Sequence, residues 1–206
     1  MIYIVQPCFP EYRKEFFMYL INNFDITLIY SDLSPEGVKS INISKERVKV
    51  VKTIGYGGFY WQLVQKYIVL KKNDVLILSG NIRYLSNLYY LVKAKLLGVR
   101  CLVWGHSYTN GFDFFSRLRV KIFEYADGYI VYTQRDKDFL QKIGYAKPIF
   151  VINNTVDISD FENYSIYPHL NISKKIDLVF VGRPSSKSQI FNFIELMADD
   201  YVLQDK

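Results

Sequence analysis

The sequence predicts an α/β fold, a Rossmann-like doubly wound and mostly parallel sheet with helices on both faces, and three observations predict it. Apolar runs of four to six residues recur along the chain, each bounded by polar residues or glycine, as strands buried on both faces require. Between them lie segments whose apolar residues return at helical spacing. The third observation is the unit from Asp74 to Tyr108. There Val75 to Leu78 reads as a strand, Leu85, Leu88, Tyr89, Val92 and Leu96 as one apolar helix stripe ended by Gly98, and Cys101 to Trp104 as the next strand. A right-handed crossover makes the two strands parallel, so Asn81, Arg83 and His106 leave at their carboxyl edge, where open α/β sheets bind ligands.

The remaining elements follow the same logic. Ile2 to Val5 reads as a strand, and the prolines of Gln6-Pro7-Cys8-Phe9-Pro10 prevent it from continuing. Glu11 starts a helix with Phe16, Phe17, Leu20, Ile21 and Phe24 on one side and Tyr12 and Arg13 in its first turn. A cation in a first turn opposes the helix dipole, so Arg13 calls for a nearby anion; the plain alternative is a solvated side chain paired with Glu11. Ile26 to Tyr30 and Val48 to Val51 read as strands, joined by the polar segment Ser31 to Arg47. Gly55-Tyr56-Gly57-Gly58 is expected to lead into a helix carrying Tyr60, Leu63, Val64, Tyr67 and Ile68. Its glycines could let backbone N–H groups approach an anion, but the spacing fits no phosphate motif and a connector with stacking aromatics fits better.

Downstream, Phe115, Leu118, Ile122 and Tyr125 pattern a helix, Tyr129 to Tyr132 a strand, and Thr133 caps a helix with Phe139, Leu140 and Ile143 that Gly144 ends. Ile149 to Ile152 is a further strand. Residues 1–158 are therefore expected to form one lobe and 159–175, polar and containing Pro168, a linker. Residues 176–206 then supply a strand, Ile176 to Val181, the exit loop Gly182 to Lys187, and a helix patterned by Ile190, Phe193, Ile194 and Met197. One strand and one helix do not bury an α/β core, so they read as the first elements of a truncated second lobe.

Composition narrows the function classes. The 206 residues are half hydrophobic, enough for a sizeable core, and carry a formal charge of +6. That bias suits anionic small molecules or an acidic lipid surface; nucleic acid is not expected, because no dense basic stripe or binding signature is present. No G-x-G-x-x-G follows the first strand, which argues against a dinucleotide cofactor. Cys8 and Cys101 lack metal or redox spacing, and a reducing cytoplasm is the simplest reading. Neither a signal peptide nor a run of roughly 18 apolar residues is seen, so a cytoplasmic protein, soluble or peripheral to the inner face of the plasma membrane, is expected.

These motifs, in this order, resemble the GT-B glycosyltransferases of the retaining family-4 type. The resemblance rests on Tyr12-Arg13, Gly80-Asn81-Ile82-Arg83, Trp104-Gly105-His106, Ala126-Asp127, Tyr132-Thr133, Asn153 to Asp157, and Phe180-Val181-Gly182-Arg183 with Lys187. It implies two lobes across a cleft, the first holding the acceptor and the second the nucleotide-sugar donor, and a hexosyltransferase-like activity in bacterial surface-polysaccharide or glycolipid synthesis. By resemblance His106 faces the transferred sugar as the catalytic residue; an imidazole at a strand's carboxyl end can donate or accept a hydrogen bond near neutral pH. The alternative is a histidine packed on Trp104 and bonded to backbone. Arg183, Lys187 and Gly182 are implied to hold the donor diphosphate, fixed cations replacing a metal, so neither metal nor other cofactor is expected. Tyr12, Arg13, Asn81 and Arg83 are implied acceptor contacts, with Asn81 open to the plainer role of a helix cap.

The segment that holds the donor ribose in the family has no counterpart in the chain, so a complementing donor-lobe chain is an expected partner alongside a nucleotide-sugar and a glycan or lipid-linked acceptor. The rival expectation is a non-catalytic glycan- or lipid-binding module that works with a partner chain.

Overall fold

The structure, a computed structural model, describes residues 1–32, 34, 37–107, 114–154, 180–181 and 188–204. The chain divides into two compact units, Met1–Phe161 and Glu162–Lys206. The first is the doubly wound α/β fold that the sequence predicts.

Its seven-stranded sheet comprises β1 (Ile2–Gln6), β2 (Ile26–Ser31), β3 (Val48–Val51), β6 (Val75–Ser79), β7 (Arg100–Trp104), β8 (Gly128–Val131) and β9 (Ile149–Val151). The order across the sheet is β3-β2-β1-β6-β7-β8-β9, and every neighbouring pair is parallel. The chain thus winds outward from β1 through β2 to β3, returns to β6 on the other side of β1, and winds outward again. Helices α1 (Lys14–Asn23), α2 (Leu85–Leu97), α3 (Phe114–Phe123) and α4 (Gln134–Lys142) are the crossovers.

Alternation along each strand divides the core in two. Tyr3, Val5, Leu76, Leu78, Val103 and Tyr129 pack with Tyr90, Leu91 and Ala94 of α2, Val120 and Phe123 of α3, and Leu140 of α4. Ile4, Leu28, Tyr30, Trp104 and Ile130 face the other way and pack with Phe9 and with Phe17 and Ile21 of α1. This is the period-2 division of a strand buried on both faces.

Two expectations are corrected. The segment after Gly55 is not a helix: β4 (Thr53–Tyr56) and β5 (Phe59–Gln62) form an antiparallel hairpin. Gly57 and Gly58 sit at its tip with φ of 58° and 83°, and two consecutive residues in that left-handed region are what a two-residue hairpin turn with strand-compatible twist demands. The glycines therefore serve a turn, and the anion-cradle alternative at a helix start goes with the helix.

Helix α2 exists as expected but faces the other way. Leu85, Tyr89, Val92 and Leu96 are exposed, while Ser86, Asn87, Tyr90, Leu91 and Ala94 are buried. Polar links choose the face. Asn87 Nδ2 donates to Ser79 O and Oγ, and Ser86 Oγ accepts from Gln62 N, so the helix supplies partners to the ends of β6 and β5. In α3 the expected Leu118 and Tyr125 are likewise exposed, and Ser116, Val120 and Phe123 hold the buried stripe.

The expected linker 159–175 lies outside the described residues, as does most of the strand expected at Ile176 to Val181. The expected helix after it is α5 (Ile190–Gln204). Among the described residues no helix is long and apolar enough to cross a membrane.

Cys101 illustrates the closure of the sheet. It is buried, and its thiol pKa is pushed up to about 12, first by burial and then by the Asp127 carboxylate. At pH 8 a thiol reagent should therefore leave Cys101 unmodified in the native chain and modify it once denaturant opens the sheet, as peptide mapping of the labelled protein would read out.

Candidate functional site

Because β2 and β6 flank β1 but belong to windings that run in opposite directions, the loops after β1 and β6 diverge and open a crevice at the carboxyl edge. A cleft of ≈ 480 Å³ lies there. The loop after β1 contributes Gln6, Cys8, Tyr12 and Arg13; the loop after β6, Ser79, Gly80, Asn81 and Arg83; and the end of β7, Trp104, Gly105 and His106. Arg119 of α3, Tyr132 and Asn154 complete the lining. Tyr12, Arg13, Asn81, Arg83 and His106, expected from separate stretches of sequence, thus meet in one place.

Two glycines set the spacing of the central loops. A Cβ on Gly105 would lie 3.1 Å from the Gly80 Cα, and one on Gly80 would lie 3.3 Å from the Gly105 Cα and 3.0 Å from the Tyr129 hydroxyl. The loops after β6 and β7 touch backbone to backbone, which brings Asn81 and His106 to neighbouring positions.

His106 is 62 % exposed and stacks on Tyr132, with ring centroids 4.8 Å apart. It is not sealed against Trp104. Its Nδ1 lies 3.5 Å from Oδ2 of Asp136, a carboxylate only 2 % exposed. That carboxylate is heavily bonded. Ser107 donates to Oδ1 from N at 2.8 Å and from Oγ at 2.9 Å, and the Thr133 hydroxyl donates to Oδ2 at 2.6 Å. Burial pushes the Asp136 carboxyl up, but the bonds from Thr133 and Ser107, together with His106, outweigh it and hold the pKa below the ordinary carboxylate value. The imidazole is thereby held by a fixed charge on its Nδ1 side, an arrangement that orients a ring whose other nitrogen works in the cleft.

Arg13 is not the solvated partner of Glu11. It is 8 % exposed, and Glu11 pairs with Lys14 instead, at 3.6 Å. The guanidinium carbon sits 5.9 Å, 5.3 Å and 5.0 Å from the ring centroids of Phe17, Trp104 and Tyr132, and one terminal nitrogen donates to Asn154 Oδ1 at 2.7 Å. Burying an unpaired cation costs about several kcal/mol. Cation–π contacts of about 0.5–2 kcal/mol each offset part of that. Among the described residues no carboxylate supplies the rest.

Arg83 is turned to the hairpin. Its Nε donates to Gly58 O at 2.7 Å, a terminal nitrogen donates to the Tyr60 hydroxyl, and the guanidinium stacks on the Tyr60 ring. It fastens β4–β5 to the cleft rim. Asn81 Oδ1 accepts from Arg83 N at 3.1 Å, a turn-forming bond, and the residue lines the cleft. Gly182, Arg183 and Lys187 lie outside the described residues. No group of three or more His, Cys, Asp or Glu among the described residues is placed to hold a metal ion.

Sequence reasoning missed Asp136 and Arg119. The spacing of Thr133 and Asp136, a capping pair at the start of α4, was the available signal for the first. Nothing in the pattern of α3 points Arg119 at the cleft.

The chain matches no family model and no curated protein.

Replacing Asp136 with Asn should destabilise the chain by about 1.5–3 kcal/mol, the worth of hydrogen bonds to a buried charged group. The sign with pH follows from a depressed folded pKa. The stabilisation is complete above the unfolded carboxylate value of about 3.9 and is lost as pH falls through the lower folded value, so urea melts of wild type and Asp136→Asn should converge on acidification. Gly105→Ala should cost about 1–3 kcal/mol by forcing the two loops apart, measurable in the same melts.

Proposed function

We propose that the first unit is the acceptor-binding lobe of a glycosyltransferase of the GT-B, family-4-like kind, acting in bacterial surface-polysaccharide or glycolipid synthesis. The observation that carries the reading is the convergence of Tyr12, Arg13, Asn81, Arg83 and His106 on one cleft at the switch point of the sheet. In this reading the acceptor enters the cleft and a nucleotide-sugar is the donor. Arg183, Lys187 and the Gly182 backbone neutralise the donor diphosphate. The acceptor oxygen bonds to the anomeric carbon as the bond from that carbon to the diphosphate oxygen breaks, and the hydroxyl proton passes to the departing diphosphate. His106, oriented by Asp136, hydrogen-bonds the sugar through the ring nitrogen that Asp136 does not engage.

The test is incubation of the chain with a panel of labelled nucleotide-sugars and bacterial membranes, scoring label in lipid and polysaccharide fractions. Transfer that falls roughly 100-fold or more in His106→Ala, within the range for removing a positioned hydrogen-bonding group at a transition state, is the expected result. Absence of transfer from every nucleotide-sugar would contradict the reading.

A second reading, a non-catalytic lipid-binding module at the inner membrane face, has its own support. Ile54, Tyr56, Phe59 and Trp61 share one face of the hairpin by register, and Trp61 stacks on Tyr89 of α2. Tyr56 is 94 % exposed and Leu96 81 % exposed, so hairpin and helix present an apolar surface. Residues 47–112, which contain both, carry ten Lys and Arg against the single acid Asp74. Apolar side chains beside cations are the combination that binds anionic bilayers. Co-sedimentation with vesicles should rise with anionic lipid content and fall in a Tyr56→Asp, Leu96→Asp variant. Equal binding to neutral vesicles, or none to either, would count against a membrane surface.

A further inference from the structure

Among the described residues, three side-chain nitrogens of cleft residues are buried with no hydrogen-bond partner: Gln6 Nε2, Trp104 Nε1 and Arg119 Nε. Trp104 and Arg119 are donor-only groups, so no change of rotamer or tautomer turns them into acceptors. Trp104 is 4 % exposed, buried beside the equally buried Arg13, whose guanidinium stacks on its ring. Among the described residues no Asp or Glu lines the cleft; Asp136 sits behind His106, its oxygens occupied by Ser107, Thr133 and the imidazole. Among the described residues, donors without acceptors and a buried cation without a carboxylate thus line the same cleft. Both deficits are removed by the same kind of guest, an oxyanion, because native structures rarely leave buried donors orphaned.

We infer that the wall formed by Arg13, Trp104 and Arg119 is a phosphoryl-binding site and that the phosphoryl group belongs to the acceptor. The second half of that statement rests on the transferase reading; the first does not. Two guanidinium groups, Arg13 and Arg119, match the charge of about −1.5 to −2 that a phosphomonoester carries at neutral pH. Arg83 is spent on Gly58 and Tyr60 and is a rim contact only. A neutral acceptor would leave the orphaned donors and the unpaired Arg13 charge uncompensated, so the acceptor class is a sugar phosphate or a phosphate- or diphosphate-linked carrier.

The experiment is calorimetric titration and thermal melting of the full chain with pyrophosphate, a hexose 1-phosphate, the neutral hexose, UDP and GDP. Pyrophosphate and hexose 1-phosphate should bind and raise Tm, and the neutral hexose should do neither. Arg13→Met replaces a buried cation by an apolar side chain of similar reach; it should keep or raise the ligand-free Tm while weakening anion binding at least tenfold. Arg119→Gln should weaken binding several-fold with Tm unchanged and covers the case in which Arg13→Met fails to fold. The site is refuted if no anion binds or if binding survives both variants unchanged. Binding of UDP or GDP without binding of pyrophosphate or hexose 1-phosphate would place the phosphoryl group on the donor and overturn the acceptor assignment. Failure of nucleotide-sugar transfer with intact, Arg13-dependent binding of hexose 1-phosphate would sink the transferase reading and leave the phosphoryl site standing.

Discussion

Everything at the cleft depends on the position of β1 between two strands whose windings diverge. Parallel pairing of β1 with β2 on one side and β6 on the other forces the chain out along one half of the sheet and back to the centre before it can fill the other half. The exit loops of β1 and β6 cannot close over each other, and a crevice at their carboxyl ends is the geometric result. The parallel arrangement also points every strand's carboxyl end to the same edge, so residues as distant in sequence as Arg13, His106 and Asn154 arrive together.

Within that crevice, close backbone contact does what side chains cannot. The approach of Gly80 to Gly105 lets two loops share the space of one, and Tyr129, buried between sheet and helices, donates from its hydroxyl to His106 O at 3.2 Å to fix the loop from below. Asp136 then ties the start of α4 to Ser107 and His106. The loop after β7 is therefore held by strand, helix and neighbouring loop at once, which is the rigidity a positioned imidazole requires.

The sequence made the fold legible because parallel strands buried on both faces are continuous apolar runs that no other element imitates at that length; Ile26 to Tyr30 and Val75 to Leu78 are examples. Helix existence was legible for the same reason, but helix phase was not. In α2 two apolar stripes compete, and the buried one was chosen by Ser86 and Asn87, polar residues that a hydrophobic pattern counts against burial. The hairpin is hidden in the sequence because Tyr60, Val64 and Tyr67 also fit helical spacing, and two consecutive glycines suit a helix entry as well as the tight turn they form. At the site, residues leaving strand ends were found from strand positions alone. Arg119 was not, since it reaches the cleft from a helix whose neighbours in space are far in sequence. The burial of Arg13 likewise depends on Phe17, Trp104 and Tyr132, three residues from three elements.

A buried arginine without a carboxylate and orphaned donors, among the described residues, are what the proposed anion site at this α/β crevice rests on. The chain has two tryptophans, Trp61 on the hairpin and Trp104 in the cleft, so their indole N–H signals report on two separate places. The most direct measurement is a proton–nitrogen correlation spectrum of the labelled chain, followed during addition of hexose 1-phosphate. A site at the cleft wall requires the Trp104 Nε1–H and Arg119 Nε–H signals to move together toward hydrogen-bonded positions while Trp61 stays in place. Movement of Trp61 alone, or of neither indole while ligand binds, would contradict it.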